Sequence, residues 1–583
     1  MDYFYLTKHL KLLDLNFRRK FLLIIFLMII GALLEMFSIG MLIPFVSIIV
    51  DTDNQSTKLF KNFLDFINPN ISKDKFLTIS FIFFLMLFFF KFTYMVIFLY
   101  FKNLFIMKVR DNLSTKMYTN YLYKPYSFYQ NENSSKLLLN CKSEVDNYSH
   151  NVLNGCLELF TELFVIIGLF ILVIIVSPKL FILISVVGLV FFLSYQKLLK
   201  KRTIIWGQER FNSDKDVNKN LIQSFGSIKE IIINSKQNFF IKKLKTFLRL
   251  NSVVSVRQMT FIEIPRYFME FIAILFFICF IIYLNFSNQD ILPYLPTLGL
   301  YAAVAFKLLP AINRILSSLQ RLRYSNVSVD IIYNHIFNKN IDTKSNEFIN
   351  HKNSFKEFSK IKLENITYKY PASEKYIFKN INLEINKNDI VGIMGESGVG
   401  KSTLLNLITT LEQDYSGKIL VNDKDLKNIS YDWKNLIGFV PQNPYILDDT
   451  VEKNIAFGFE EEEINHELKI EVMKTCELHE YIQNLPNNYK TQMGERGIKF
   501  SGGQLQRLSI ARALYKKPKI LILDEATNAL DLENEKKIIK QLSLSQYDLT
   551  FILVSHKTTL LDFSTKVYKL ENNKLDIIYD RGK

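Results

Sequence analysis

Six apolar stretches lie in the first 320 residues, at about 21–50, 76–101, 153–176, 179–199, 259–284 and 293–316. Each has the roughly 20 residues needed to cross a hydrocarbon core about 30 Å thick. Lipid supplies no water to satisfy backbone N–H and C=O groups, so spans of this length must be helical. Six membrane helices are therefore expected, with both termini on one side. The first stretch is not a cleaved signal peptide, because its apolar run is too long and no small-residue cleavage site follows it. Hydrophobic residues make up 49% of the chain, aromatics 14%, and the mean hydropathy is +0.11, which excludes disordered and collagen-like chains.

The charge balance, 72 basic against 56 acidic side chains for a net of +16, raises nucleic acid or an acidic membrane surface as partners. Its position decides between them. Residues 355–583 carry 32 basic and 33 acidic groups, so the whole surplus belongs to the apolar part. There, residues 1–20, 101–151 and 197–257 hold 26 Lys and Arg, whereas the opposite connections hold five. The positive-inside rule places the first set in the cytoplasm. A multi-pass protein of the cell (inner) membrane is expected, with membrane lipids and no nucleic acid as partners. Cys141, Cys156, Cys279 and Cys476 show no paired spacing, so neither a disulfide framework nor a zinc site is indicated.

The first external connection carries Phe60, Phe63, Leu64 and Ile67 at i, i+3, i+4 and i+7, with Asn68 and Pro69 as a stop. That pattern fits a short amphipathic helix at the outer interface or a loop helix packed on its neighbours. The two long cytoplasmic connections are rich in helix formers, and the membrane helices are expected to project beyond the bilayer there. The chain turns polar after Ser317, and from residue 361 strands alternate with helices, as at 361–370, 381–386 and 390–394. The expected fold class is an α-helical six-span transmembrane domain (1–340) and a linker (341–360), fused to an α/β P-loop ATPase domain (361–583).

The strand at 390–394 runs into Gly395, Glu396, Ser397, Gly398, Val399, Gly400, Lys401 and Ser402, with Thr403 opening a helix. Glycines let backbone N–H groups turn in on a β-phosphate, Lys401 reaches the β and γ oxygens, and Ser402 offers a hydroxyl to Mg²⁺. An apolar strand further on ends in Asp524 and Glu525. A buried strand that delivers carboxylates beside a phosphate loop suits Asp524 to holding Mg²⁺ through water and Glu525 to polarising the attacking water.

Between them lies FSGGQLQR, Phe500–Arg507. SGGQ (Ser501, Gly502, Gly503, Gln504) shortly before such a strand resembles the signature of ATP-binding cassette (ABC) proteins. At a helix start these residues offer N–H groups and a hydroxyl to a γ-phosphate, which in that family belongs to the partner subunit's ATP. The resemblance extends to Tyr370 as the aromatic that stacks on adenine and to Gln442 as the Q-loop glutamine that senses Mg²⁺. It also implies Asp531 in the D-loop, His556 as the switch histidine on the γ-phosphate, and a TQMGERG stretch (Thr491–Gly497) that touches coupling helices. Phe500 stands for the usual Leu and Asn528 for the usual Ser, and neither change removes a phosphate ligand. ATP and Mg²⁺ are the implied cofactors, and a half-transporter of the exporter type is the implied assembly. One site needs the signature of a second subunit, so a homodimer active at both sites is expected. Its couplers would lie near 125–140 and 225–236.

Ionisable residues inside the spans are the internal clue to substrate. Lys91, Arg266 and Lys307 lie 15, 18 and 14 residues from the outer ends of their spans, a depth of roughly 21–27 Å at the helical rise. In a dimer they would form a ring of basic groups for an anionic headgroup. Glu263 and Glu270 flank Arg266 at helical spacing and offer to neutralise it, and snorkelling to the interface competes for the rest. Glu158 and Glu162 are expected at the inner margin, neither paired nor buried. LLEMFSIGMLIPF, EIPRYFME and KLLPAINRI, with Glu35, Pro44 and Arg314 among their residues, resemble segments of PglK-like flippases for lipid-linked oligosaccharides. That implies a polyprenyl-diphosphate-linked oligosaccharide moved from the inner to the outer leaflet. Peptide or bacteriocin export, multidrug export and ATP-dependent sensing without transport are the alternatives. The roughly 20 residues before the first span are too few for a leader-cleaving peptidase domain.

Overall fold

A computed structural model of the 583-residue chain describes residues 3–41, 73–176, 178–286, 295–337, 357–371, 373–526, 537–538, 540–542, 548–555 and 563–581. The amphipathic stretch at 60–67, Asn528, Asp531 and His556 lie outside the described residues, as do the side chains of Lys307 and Cys279. The chain forms two compact units: residues 1–124 with 131–341, and residues 125–130 with 342–583.

The first unit is helical. Among the described residues its long helices are α1 Leu15–Gly40, α2 Lys73–Leu122, α3 Asn154–Val176, α4 Pro178–Gly226, α5 Gln237–Phe286 and α6 Leu295–Tyr324. Among the described residues three helical segments are long and apolar enough to cross a membrane, Leu15–Ser38, Phe81–Leu122 and Ser134–Ile171. Helices α2, α4 and α5 run for 50, 49 and 50 residues, about 75 Å each at 1.5 Å per residue, far more than a bilayer core needs. Helix α6 packs on α3, α4 and α5, and α1 packs on α2 and α3. The inner extensions are tied by a buried ion pair, Arg210 to Glu144 at 3.0 and 3.2 Å, with the Ser328 hydroxyl donating to Glu144 at 2.5 Å. Glu144 closes one of two π-helical turns, Asn140–Glu144 and Tyr148–Leu153, that lead into α3.

The unpaired setting expected for Glu158 and Glu162 is corrected here. Glu162 is buried and accepts from Arg314 at 2.5 and 3.1 Å, while Glu158 pairs with Arg321 and accepts from Ser318 at 3.0 Å. Charges this close to lipid must be matched by another helix. The partners, 152 and 163 residues away, leave no local sequence pattern.

The second unit has two sheets. A four-stranded antiparallel sheet, in the order β2-β1-β4-β5, comprises β1 Lys360–Tyr368, β2 Phe378–Asn386, β4 Ser416–Val421 and β5 Lys424–Asp425. A six-stranded sheet, β10-β9-β3-β8-β7-β6, comprises β3 Ile390–Met394, β6 Ile437–Val440, β7 Ile520–Asp524, β8 Thr550–Val554, β9 Lys566–Glu571 and β10 Lys574–Asp580. All its pairings are parallel except β10 with β9. Every residue of β8 is buried, as a parallel strand covered on both faces requires. Trp433, fully buried, donates from its indole N–H to the Ile408 carbonyl at 2.7 Å, at the end of helix α7, Lys401–Ile408. Trp433→Ala should therefore cost about 3–5 kcal/mol through the cavity it leaves and loosen α7; a fall in the thermal midpoint of the full-length protein, with weakened ATP binding, checks this.

Candidate functional site

Strand β3 ends at Met394 and α7 begins at Lys401, so residues 395–400 form the turn between them. Gly400 has φ 113, a left-handed conformation, and a Cβ there would lie 2.5 Å from Ile377. The Lys401 ammonium curls into the loop and donates to the carbonyls of Gly395 at 2.8 Å and Glu396 at 2.9 Å. Burial lowers its pKa, opposed by Glu525 and Asp524. Glu396, Ser397 and Gly398 are exposed at the tip, and Val399 packs inward.

The parallel sheet brings the carboxylates to this loop. Ile393 is level with Val554 across β3 and β8, and Val554 is level with Asp524 across β8 and β7. Ser402 donates to Asp524 at 3.4 Å, putting two hard oxygens side by side, the donor type that Mg²⁺ takes. Burial raises the Asp524 pKa, while the Ser402 bond lowers it and the Glu525 charge raises it further. Glu525 lies 4.0 Å from the Lys401 nitrogen and accepts from the Gln442 amide at 2.8 Å. Its backbone has φ 50, a left-handed conformation for a residue with a side chain, held by its N–H on the Val554 carbonyl at 3.1 Å. Strain of this kind persists where surroundings fix it, and it turns the carboxylate after β7 toward the loop.

Tyr370 lies two residues past β1 and its hydroxyl bonds the Thr403 hydroxyl at 2.8 Å, so the ring is oriented by α7 itself. It meets Tyr368 edge-on, with centroids 5.3 Å apart. Ser501 caps helix α8, Gly502–Tyr515, through a reciprocal box: its hydroxyl accepts from the Gln504 N–H at 3.3 Å, and its own N–H donates to the Gln504 side chain at 2.8 Å. Ser501 and Gly502 are exposed, Gly503 half-buried. Phe500 packs edge-on against Tyr481.

Sequence reasoning missed the support behind Gln442. Arg512, on α8, donates to the carbonyls of Tyr445 and Asn454 at 2.7 Å each and to the Asn454 side chain at 2.8 Å. Burial pushes its pKa down to about 10. An arginine inside a helix carries no local signal of that role. The expected coupling segments are helical at Tyr126–Asn131, Ser134–Leu139 and Ile228–Ile233. Residues 125–130 belong to the nucleotide-binding unit, where Gln130 donates to Glu412 at 3.1 Å.

With this geometry in place, family profiles identify the chain. Residues 378–528 match the ABC transporter profile and residues 21–291 match the ABC transporter transmembrane region. Both parts of the chain therefore match ABC transporter families: a multi-pass transmembrane region followed, on the same polypeptide, by a nucleotide-binding domain. Proteins of Staphylococcus aureus strains NCTC 8325, COL and N315, named as multidrug export ATP-binding/permease proteins, are 41% identical over 217 residues. That is 37% of this chain and 37% of theirs, so the match spans little more than a third of those relatives. The fold is similar to a bacterial Atm1-family ABC exporter solved with ATP bound, with a TM-score of 0.77 and 16% identity over 96% of this chain and 95% of that one.

Burial raises the pKa of Glu412, whose carboxyl faces Gln130, Tyr368 and Asp414. A carboxyl with a raised folded pKa binds its proton more tightly folded than unfolded, so stability rises as pH falls through the window just above the ordinary carboxylate value. Glu412→Gln should raise the thermal midpoint at neutral pH and flatten its rise on acidification; an unchanged pH profile would remove Glu412 from this role.

Proposed function

We propose that the chain is one half of an ATP-driven exporter in which two copies carry an amphipathic substrate from the inner to the outer leaflet through six spans each. The observation that carries this reading is the convergence of Lys401, Ser402, Asp524, Glu525 and Gln442 on one sheet edge, with Glu525 4.0 Å from Lys401 and 2.8 Å from Gln442. The nucleotide-binding unit lies in the cytoplasm, where the basic loops place it. ATP lies with its phosphates on the amides of residues 395–400 and the Lys401 ammonium, and with adenine on Tyr370. Ser402 and Asp524 would hold Mg²⁺, which neutralises charge on the β and γ oxygens when bound. Glu525, aimed by Gln442, takes the proton of the attacking water, and Ser501, Gly502, Gly503 and Gln504 come from the opposite copy. By their places in the sequence motifs, Asp531 is assigned to the D-loop and His556 to the switch that reads the γ-phosphate. Glu525→Gln should leave ATP binding intact and lower hydrolysis by about 10²–10⁴; undiminished turnover in a purified preparation would take Glu525 out of the base role.

Two substrate readings remain, each with its own support. The relatives' names favour multidrug export. The residues of α1, α5 and α6 that resemble lipid-linked oligosaccharide flippases, with Lys91, Arg266 and Lys307 in the spans, favour a polyprenyl-diphosphate-linked glycan. In the structure Lys91 donates to Ser38 of α1 at 2.9 Å, and Arg266 is held by Glu270 at 3.0 Å on its own helix. Lys91 therefore lies where α1 and α2 meet, whereas Arg266 is answered by a carboxylate on its own helix. Replacing Lys91, Arg266 and Lys307 with Ala should preserve basal ATPase activity and impair movement of a diphosphate lipid in proteoliposomes more than that of a cationic drug. Equal loss for both cargoes would favour the multidrug reading.

A further inference from the structure

The helical unit contains a cavity of about 470 Å³ that the transport chemistry does not use. Its walls come from the end of the N-terminal helix Tyr3–Leu12, the start of α1, the inner extension of α2 and the end of helix Asn326–Phe337. Three cations, Lys11, Arg18 and Lys116, face one carboxylate, Asp14. Asp14 is already engaged, accepting from Lys116 at 2.5 Å. Arg18 is fixed at its root, Nε donating to the Leu13 carbonyl at 2.9 Å, and its terminal nitrogens make no hydrogen bond among the described residues. Lys11, exposed, has no ion-pair partner among them either. Asn112, Lys116 and Thr119 stand at i, i+4 and i+7 on α2, so one helix face presents all three to the cavity.

Two cations beside neutral donors are the chemistry that holds phosphate oxygens, and the Arg18 guanidinium, fixed at Nε, keeps a two-pronged edge for them. The other wall is apolar: Leu13, Leu15, Ile336 and Phe337. Leu15 is 73% exposed and begins a strip continued by Leu22 and Phe26 at i+7 and i+11 of α1. Arg18, Arg19 and Lys20 precede the first apolar stretch, which sets the cavity at the level where inner-leaflet headgroups meet the chain.

We propose that this cavity binds the phosphate of an anionic phospholipid of the inner leaflet, with Lys11 and Arg18 on its oxygens and an acyl chain along Leu15, Leu22 and Phe26. The site is separate from the cargo path and independent of what is exported. A free phosphate offers the same oxygens without the tail, so the test compares the two. The full-length protein in detergent is titrated with phosphatidylglycerol, phosphatidylcholine or inorganic phosphate, following the thermal midpoint and, by native mass spectrometry, retained lipid. Phosphatidylglycerol should be retained and stabilise, and phosphatidylcholine should do neither. The Lys11→Gln/Arg18→Gln protein should bind phosphatidylglycerol at least about tenfold more weakly, the ratio expected from losing one charge-assisted hydrogen bond. Lys11→Gln alone, which spares the Arg18–Leu13 bond, should weaken it too and keeps the test open if the double variant unfolds. Lys243→Gln, an exposed lysine on α5, should bind like the wild type. Equal retention by the double variant and the wild type overturns the site. Stabilisation by inorganic phosphate that matches phosphatidylglycerol and vanishes in the double variant overturns the lipid occupant and assigns the anion site to free phosphate.

Discussion

The register of three parallel strands is the constraint on which the nucleotide site depends. Because β3, β8 and β7 run side by side with Ile393, Val554 and Asp524 level, whatever follows each strand emerges on one edge of the sheet. The phosphate loop, the Asp524–Glu525 pair and Ser555 are brought together by hydrogen-bond geometry, although some 160 residues of chain separate the first from the last. Ligand sites at the carboxyl edge of a parallel sheet follow from that geometry. The buried interior of β7 and β8 holds the register, since a one-residue slip would turn Asp524 away from Ser402.

This explains why the residues that gather at this edge were legible in the sequence as a candidate nucleotide site and their support was not. Gly400, Lys401 and Ser402 must stand at fixed spacing because one loop has to wrap one phosphate group, so a short string of residues carries the chemistry. Gln442 and Glu525 were likewise readable by type and order. Their mutual hydrogen bond, the left-handed backbone of Glu525 and the Arg512 clamp under the loop after Gln442 were not, because each depends on a tertiary contact over tens of residues. Strand ends shifted by one to three residues for the same reason: β2 begins at Phe378, where pairing with Tyr368 starts, ahead of the apolar alternation that marked it from 381.

In the helical unit the legible part was length and apolarity, which any lipid-facing helix must have. The buried charges read differently once their partners were known. Glu158 and Glu162 meet Arg321 and Arg314, so they join α3 to α6 and are satisfied within the protein. Arg210 and Glu144 do the same for the inner extensions, where an unpaired buried charge would be costly and a pair held by Ser328 fixes which helices meet. Much of what looked like candidate substrate chemistry is therefore internal neutralisation, and Arg266 on Glu270 belongs with it.

What is left after that pairing is informative. A cation answered by a carboxylate on a neighbouring helix has its electrostatic need met and offers a ligand little. Lys11 and the outer edge of Arg18 are placed otherwise: they sit beside a carboxylate that Lys116 already holds, at the foot of an exposed apolar strip. Desolvating a phosphate there costs less than in the buried centre of the bundle, and the gain from the two cations is not first spent on breaking an internal pair. The same reasoning separates the spans from their margins. Deep in the bundle a charge is kept only with a partner, so recognition of a cargo head must exchange one pairing for another, while at the inner margin the headgroup layer itself is the available partner. The 72 basic side chains are thus divided by setting. Some are neutralised by carboxylates between the helices, others lie in the polar connections, and a few groups at the foot of α1 are left positioned for an anion.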